Sequence, residues 1–114
     1  MGRWLVTSVL LMIAVIEAGT ALAANPANDT LLTLAPNEQA EILGHAAGCT
    51  GNYAFYRGVS TDPGLGQGVP FWAVRCSDGK AYMVGIDPNS TRVLRCEAIK
   101  LVANDDCFTK FPNQ

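Results

Sequence analysis

Apolar and polar positions change their spacing several times along this chain, and each spacing predicts a different element. From Trp4 to Ile16 the residues are almost continuously apolar, broken only by Thr7 and Ser8. From Pro36 to Ala47 the spacing turns helical, with Ile42, Leu43, Ala46 and Ala47 on one stripe. Pro36 suits the first turn, Glu38 and Glu41 lie near the positive end of the helix dipole, and Gly48 is placed to stop the helix. From Phe71 the residues alternate. Two runs, Phe71 to Cys76 and Lys80 to Ile86, flank Ser77-Asp78-Gly79, which predicts a β-hairpin with Gly79 in the left-handed position of a three-residue loop. That loop sets Trp72 opposite Val84 and Val74 opposite Tyr82. A two-residue Asp78-Gly79 turn would instead oppose Trp72 to Gly85, and cross-strand packing favours the first register.

The remaining segments fill in around these. Residues 24–34 are polar and contain Pro26, which predicts a flexible N-terminal arm. Tyr53-Ala54-Phe55-Tyr56 is a short strand by propensity. The stretch from Gly58 to Pro70, with Gly64, Gly66 and Gly68, reads as an irregular loop whose glycines supply flexibility. Asp87-Pro88-Asn89-Ser90 is a turn, and the run from Thr91 to Cys96 is a strand returning antiparallel. Ile99, Leu101 and Val102 fall on a short helix from Glu97 to Ala103, ended by Asn104-Asp105-Asp106, after which Cys107-Phe108 and Phe111 fold back. The expected fold is α+β: one domain over 35–114, with an N-terminal helix, an antiparallel three- to four-stranded meander and a short C-terminal helix.

The apolar run has Arg3 before it and Ala21-Leu22-Ala23 after it, the layout of a secretory signal peptide over 1–23, cut after Ala23 or Ala24. A retained membrane anchor is the competing reading. Glu17 ends the run short of the roughly 20 residues a spanning helix needs, so no stable membrane insertion is expected after cleavage. About 90 residues then remain, a size that often needs covalent support. Cys49, Cys76, Cys96 and Cys107 all lie downstream, and in an oxidising compartment they imply two disulfides. Zinc ligands, thioredoxin-like redox pairs and haem attachment sites call for close C-x-x-C spacing, which is absent. Sequence alone does not choose among three connectivities. The pairs Cys49–Cys76 and Cys96–Cys107 are favoured because a meander leaves Cys76 and Cys96 two strands apart, about 9–10 Å, beyond disulfide reach.

Charge and chemistry narrow the function mostly by exclusion. Arg3 and Glu17 leave with the signal, so the net charge stays at −2, with no basic footprint for nucleic acid. His45, the one histidine, follows Glu41 by a helical turn, but no third ligand accompanies them. Ser60, Ser77 and Ser90 lack a nucleophile elbow, and Gly64-Leu65-Gly66-Gln67-Gly68 lacks the Lys-Ser/Thr of a phosphate loop. The carboxylates lie in turns, at helix ends or on solvated faces. No catalytic residue, metal or cofactor is therefore assigned. Asn28 and Asn89 match the glycosylation pattern, which is common by chance.

The hairpin offers the more useful clue. Trp72, Val74, Tyr82 and Val84 suit a covered face, yet the opposite face carries Phe71, Ala73 and Met83, rather apolar for solvent. Either both faces are covered, partly by the long loop, or the second face is an apolar patch for a partner. Phe71, Met83 and Arg75, the last at the margin, are the candidate partner-binding residues.

The run Phe71-Trp72-Ala73-Val74-Arg75-Cys76-Ser77-Asp78-Gly79-Lys80, with Ser90-Thr91-Arg92-Val93-Leu94-Arg95-Cys96 and Asp106-Cys107-Phe108, resembles small exported four-cysteine proteins of Gram-negative bacteria. The resemblance implies export and paired cysteines but no activity and no site residues. Cys76-Ser77-Asp78-Gly79 with Tyr82 is also similar, more loosely, to periplasmic lysozyme inhibitors. The expected function is that of a non-enzymatic periplasmic or secreted protein that binds another protein or serves as an accessory subunit in the envelope, with the apolar face or the Gly-rich loop making the contact. The alternatives are a small hydrolase inhibitor and, behind it, a small hydrolytic enzyme.

Overall fold

The alternation seen in the hairpin continues on both sides of it. In a computed structural model that describes residues 25–112, β1 (Gly51–Val59), β2 (Pro70–Cys76), β3 (Ala81–Ile86) and β4 (Thr91–Arg95) form one antiparallel sheet in the order β1-β2-β3-β4. Helices α1 (Pro26–Thr33) and α2 (Pro36–Ala47) precede the sheet, and α3 (Cys96–Ala103) follows it. The signal peptide expected over 1–23 lies outside the described residues. Among those residues, no helix is long and apolar enough to cross a membrane.

The hairpin register is the one packing favours, with Trp72 opposite Val84 and Val74 opposite Tyr82. Gly79 takes φ 88°, where a side chain would be strained, and its N–H donates to the Cys76 carbonyl at 3.0 Å. β1 runs further than Tyr53-Ala54-Phe55-Tyr56, because Gly58 and Val59 still pair with Phe71 and Pro70 beyond a bulge. Gly51 and Gly44 let β1 and α2 approach closely: a methyl on Gly51 would run into the Ala40 carbonyl, and one on Gly44 into the Gly51 amide. Helices α1 and α2 cover one face of the sheet, where Leu31, Leu43, Trp72, Val74, Val84 and Ile86 pack together.

Within the flexible arm expected over 24–34, Pro26–Thr33 is instead the helix α1, and its polar residues explain why. Asn25 caps it by accepting from the Asn28 N–H at 3.2 Å, and Pro26 occupies the first turn. Asn28 is itself buried. Its Oδ1 accepts from Trp72 Nε1 at 2.8 Å, and its Nδ2 donates to the Tyr56 hydroxyl at 3.4 Å. Asn25 Nδ2 adds a bond to the Ile86 carbonyl at 3.0 Å. The polarity of this segment therefore docks a helix, because a large indole must have a partner for its N–H when buried. The Asn28 glycosylation pattern falls on an amide that the fold already uses.

The second face of the sheet is covered too. Val69, Phe71, Ala73, Met83 and Cys107 form a second core, with Leu65 of the long loop, Ile99 of α3 and Phe111 packed on it. Phe71 and Met83 are 0% exposed, so the apolar surface patch expected at these residues does not exist. Its cover is a strap, residues 104–112, that leaves α3 through the left-handed Asn104 and turns back across the sheet. α3 itself contributes Cys96 and Ile99. At 100° per residue, Leu101 falls on the opposite side of the helix, and Leu101 and Val102 project into solvent.

Two disulfides join Cys49 to Cys76 and Cys96 to Cys107, with Cα separations of 5.9 and 5.7 Å. The sequential pairing follows from the meander, as the strand-separation argument requires. Two such crosslinks in so small a domain fit an oxidising, extracytoplasmic environment.

Candidate partner-binding surface

β-strand alternation puts Tyr53, Phe55, Ala73, Arg75 and Met83 on the side of the sheet that faces away from α1 and α2. The strap crosses this side, and its hydrogen bonds to the sheet among the described residues go to one residue. Arg57 stands at the bulge of β1, and its side chain is 1% exposed. Its Nε donates to the Thr109 carbonyl at 2.9 Å, its Nη2 to Asp105 Oδ2 at 2.8 Å, and its Nη1 to Met83 Sδ at 3.0 Å. The Phe111 ring lies over the guanidinium at 4.2 Å, and the Phe111 N–H returns a bond to the Arg57 carbonyl at 2.9 Å. Every donor that faces the interior has a partner, as burial of a charge demands. Arg57 is therefore a structural clamp.

By covering Phe71 and Met83, the strap carries its own residues to the surface beside Arg75. Of the three residues expected to meet a partner, Arg75 alone stays exposed. Its guanidinium lies 4.4 Å over the Phe108 ring and 5.9 Å from that of Tyr53, and the two rings stack at 5.7 Å. Further along β1, the Lys110 ammonium lies 5.5 Å from the Phe55 ring and 4.9 Å from that of Tyr56. Arg57, Arg92 and Arg95 pair with Asp105, Asp87 and Glu97, whereas Arg75 and Lys110 form no ion pair among the described residues. A guanidinium laid over a ring still presents its N–H fork at the edges, where a carboxylate or a carbonyl can accept two bonds. Tyr53, 47% exposed, adds an amphipathic ring beside it.

A concavity lies on the helical side. It has a volume of about 400 Å³ and is lined mainly by aliphatic side chains, including Leu31, Leu34, Ile42, Leu43 and Ile86. Three of these, Leu31, Leu43 and Ile86, belong to the first core, so the groove is the thinly covered margin of that core.

The other sequence candidates are dispersed. His45 is exposed in the last turn of α2, and no cluster of His, Cys, Asp or Glu fit to hold a metal occurs among the described residues. The Gly-rich loop is pinned: Asp62 Oδ1 accepts from the Gly64 N–H at 2.8 Å, the Gly68 N–H donates to the Ser60 carbonyl at 2.8 Å, and Arg92 Nη1 donates to the Leu65 carbonyl at 2.7 Å. Its glycines serve geometry more than flexibility. Gly66 and Gly68 have φ 120° and 82°, and a methyl on Gly66 would collide with the Arg92 guanidinium.

Tyr53, Phe108 and Lys110 were not singled out by sequence as binding residues. The one available signal was the sharing of aromatic and cationic residues between β1 and the tail, and it becomes visible only once the strap is placed beside the strand. No protein-family model matches the chain, and neither a curated protein nor a solved structure matches it.

Proposed function

We propose that the chain is an exported, non-enzymatic protein of the bacterial envelope, periplasmic or secreted, that binds another protein through Arg75, Tyr53, Phe108 and Lys110. The observation that carries this reading is the exposed Arg75 guanidinium, without an ion pair among the described residues, poised over half-buried Phe108 and exposed Tyr53. The core does not need it there, because Phe111 and Arg57 already close the second face. Arginine and tyrosine are also the residue types that most often dominate interface energy. The disulfides and the A-x-A leader support export. The start of α1 fits cleavage after Ala23 or Ala24, because either cut keeps Asn25, which caps the helix, whereas a cut one residue later would remove it.

The test is site-specific photocrosslinking in the producing cell. A photoreactive residue at Tyr53 should capture one partner, and Arg75→Ala in the same chain should abolish that capture while the melting temperature stays within a few degrees. The same probe at Thr30, on the helical side, should capture nothing in common with it. Capture that survives both Arg75→Ala and Lys110→Ala, or equal capture from Thr30, would refute the assignment. If the captured partner is a muramidase or a peptidase, near-stoichiometric inhibition by the purified protein separates the inhibitor role from an accessory one.

A further inference from the structure

The two disulfides hold very different things. Cys49–Cys76 joins points that are already fixed: the Cys49 N–H donates to the Gly44 carbonyl at 2.8 Å, the Cys76 N–H to the Lys80 carbonyl at 2.8 Å, and the Ser77 N–H to the Thr50 carbonyl at 2.8 Å. Cutting that bridge releases no element. Cys96–Cys107 is different, because Cys107 lies in the strap, which is part of neither a helix nor the sheet.

We propose that the strap, residues 104–112, is a redox-releasable cover, closed over Phe71, Ala73 and Met83 while Cys96–Cys107 is oxidised and open when it is reduced. The argument turns on Arg57. Besides the disulfide and side-chain packing (Phe111 on Phe71, Phe108 on Tyr53 and Arg75, Lys110 over Phe55 and Tyr56), the hydrogen bonds that bind the strap to the sheet among the described residues converge on that one residue: Asp105 on Nη2, the Thr109 carbonyl on Nε and the Phe111 N–H on the main-chain carbonyl. Closing the strap strips water from the guanidinium, and opening it restores that water. The desolvation cost of a buried charge offsets most of what its bonds return, so the clamp adds little net hold. The covalent link, which confines the strap to a short loop, therefore decides between closed and open.

The chemistry balances with a dithiol as reductant. Cys107 is buried and Cys96 only half-buried, so the incoming thiolate attacks Sγ of Cys96 and displaces the Cys107 thiolate, which takes up a proton. The second thiol of the reductant then loses its proton and, as thiolate, attacks the mixed disulfide and releases Cys96. Two electrons and two protons pass to the two cysteines, and the dithiol leaves as a disulfide. The opened strap exposes an apolar strip on β2 and β3 while the helical face stays packed.

Hydrogen exchange tests this on the oxidised protein and on Cys96→Ser/Cys107→Ser. The Phe111 amide, bonded to the Arg57 carbonyl, reports the strap, and the Trp72 indole N–H, bonded to Asn28, reports the rest of the fold. In the variant, Phe111 should exchange about thirtyfold faster or more, as expected when a short covalent loop is cut, with the Trp72 indole unchanged and binding of an apolar dye gained. Graded dithiothreitol on the unmodified protein, with alkylation and mass measurement to follow each bridge, should give the same result and decides the matter if the variant does not fold. Unchanged Phe111 protection once Cys96 and Cys107 are thiols would overturn the proposal. So would loss of Trp72 protection in step with that of Phe111.

Discussion

Replacing Phe71 with alanine separates a covered sheet from one with an exposed apolar face. Phe71 has no solvent exposure, meets Phe111 edge-on at 6.0 Å, and lies over Gly85, where a methyl group would come within 2.6 Å of its ring. Truncation leaves a cavity between strap and sheet whose floor, β2, cannot shift without breaking pairings on both sides. For a site so confined, the loss should reach about 3–5 kcal/mol. That is a large part of the roughly 5–15 kcal/mol that holds a domain of this size together. With each kcal/mol shifting the midpoint by about 4–8 °C, the melting temperature should fall by about 12 °C or more. Arg75→Ala is the paired control: it removes exposed cation–π contacts and should cost no more than about 1 kcal/mol. Urea unfolding of the oxidised proteins, monitored through Trp72, measures both. If Phe71→Ala is as stable as Arg75→Ala, the strap does not cover the face, and the reasoning about both cores fails with it.

Two further substitutions probe the helical side. Asn28→Ala should destabilise the oxidised protein by about 1–3 kcal/mol, because it orphans a buried indole N–H; a shift in Trp72 emission should accompany the loss, and an unchanged urea midpoint would mean that α1 is not docked as described. Gly51→Ala drives a methyl into the Ala40 carbonyl, a main-chain group that can give way only by moving α2, and should cost about 2 kcal/mol or more; a neutral result would show that α2 and β1 are not in close contact.

The parts of this fold that the sequence reveals are those governed by local rules. A turn with Gly79 as its third residue and branched or aromatic residues at matching positions leave one sensible hairpin register, and that register in turn selects the disulfide pairing. Helix α1 was missed because its cue is polar. Asn25-Pro26 carries a cap and a first-turn proline, but only Leu31 and Asn28 are buried, so no apolar stripe marks the helix. The strap was underestimated for a related reason. Its hydrogen bonds to the Arg57 side chain reach across 48 and 52 residues of sequence, and no period in the strap announces that contact. An apolar second face on a hairpin is the sequence mark of a strand covered on both sides, and here it outweighed the reading of Phe71 and Met83 as a binding patch. Arg75 stays exposed at the end of β2, where its neighbours in sequence fix it, while the rings beneath it come from β1 and the tail.

Peptide mass mapping of the native protein, isolated from its producing cell without reduction, tests the central claim most directly. The account predicts a mature N-terminus at Ala24 or Asn25 and two crosslinked peptide pairs, Cys49 with Cys76 and Cys96 with Cys107. A chain that still begins at Met1, or one whose four cysteines are found as thiols, would contradict it.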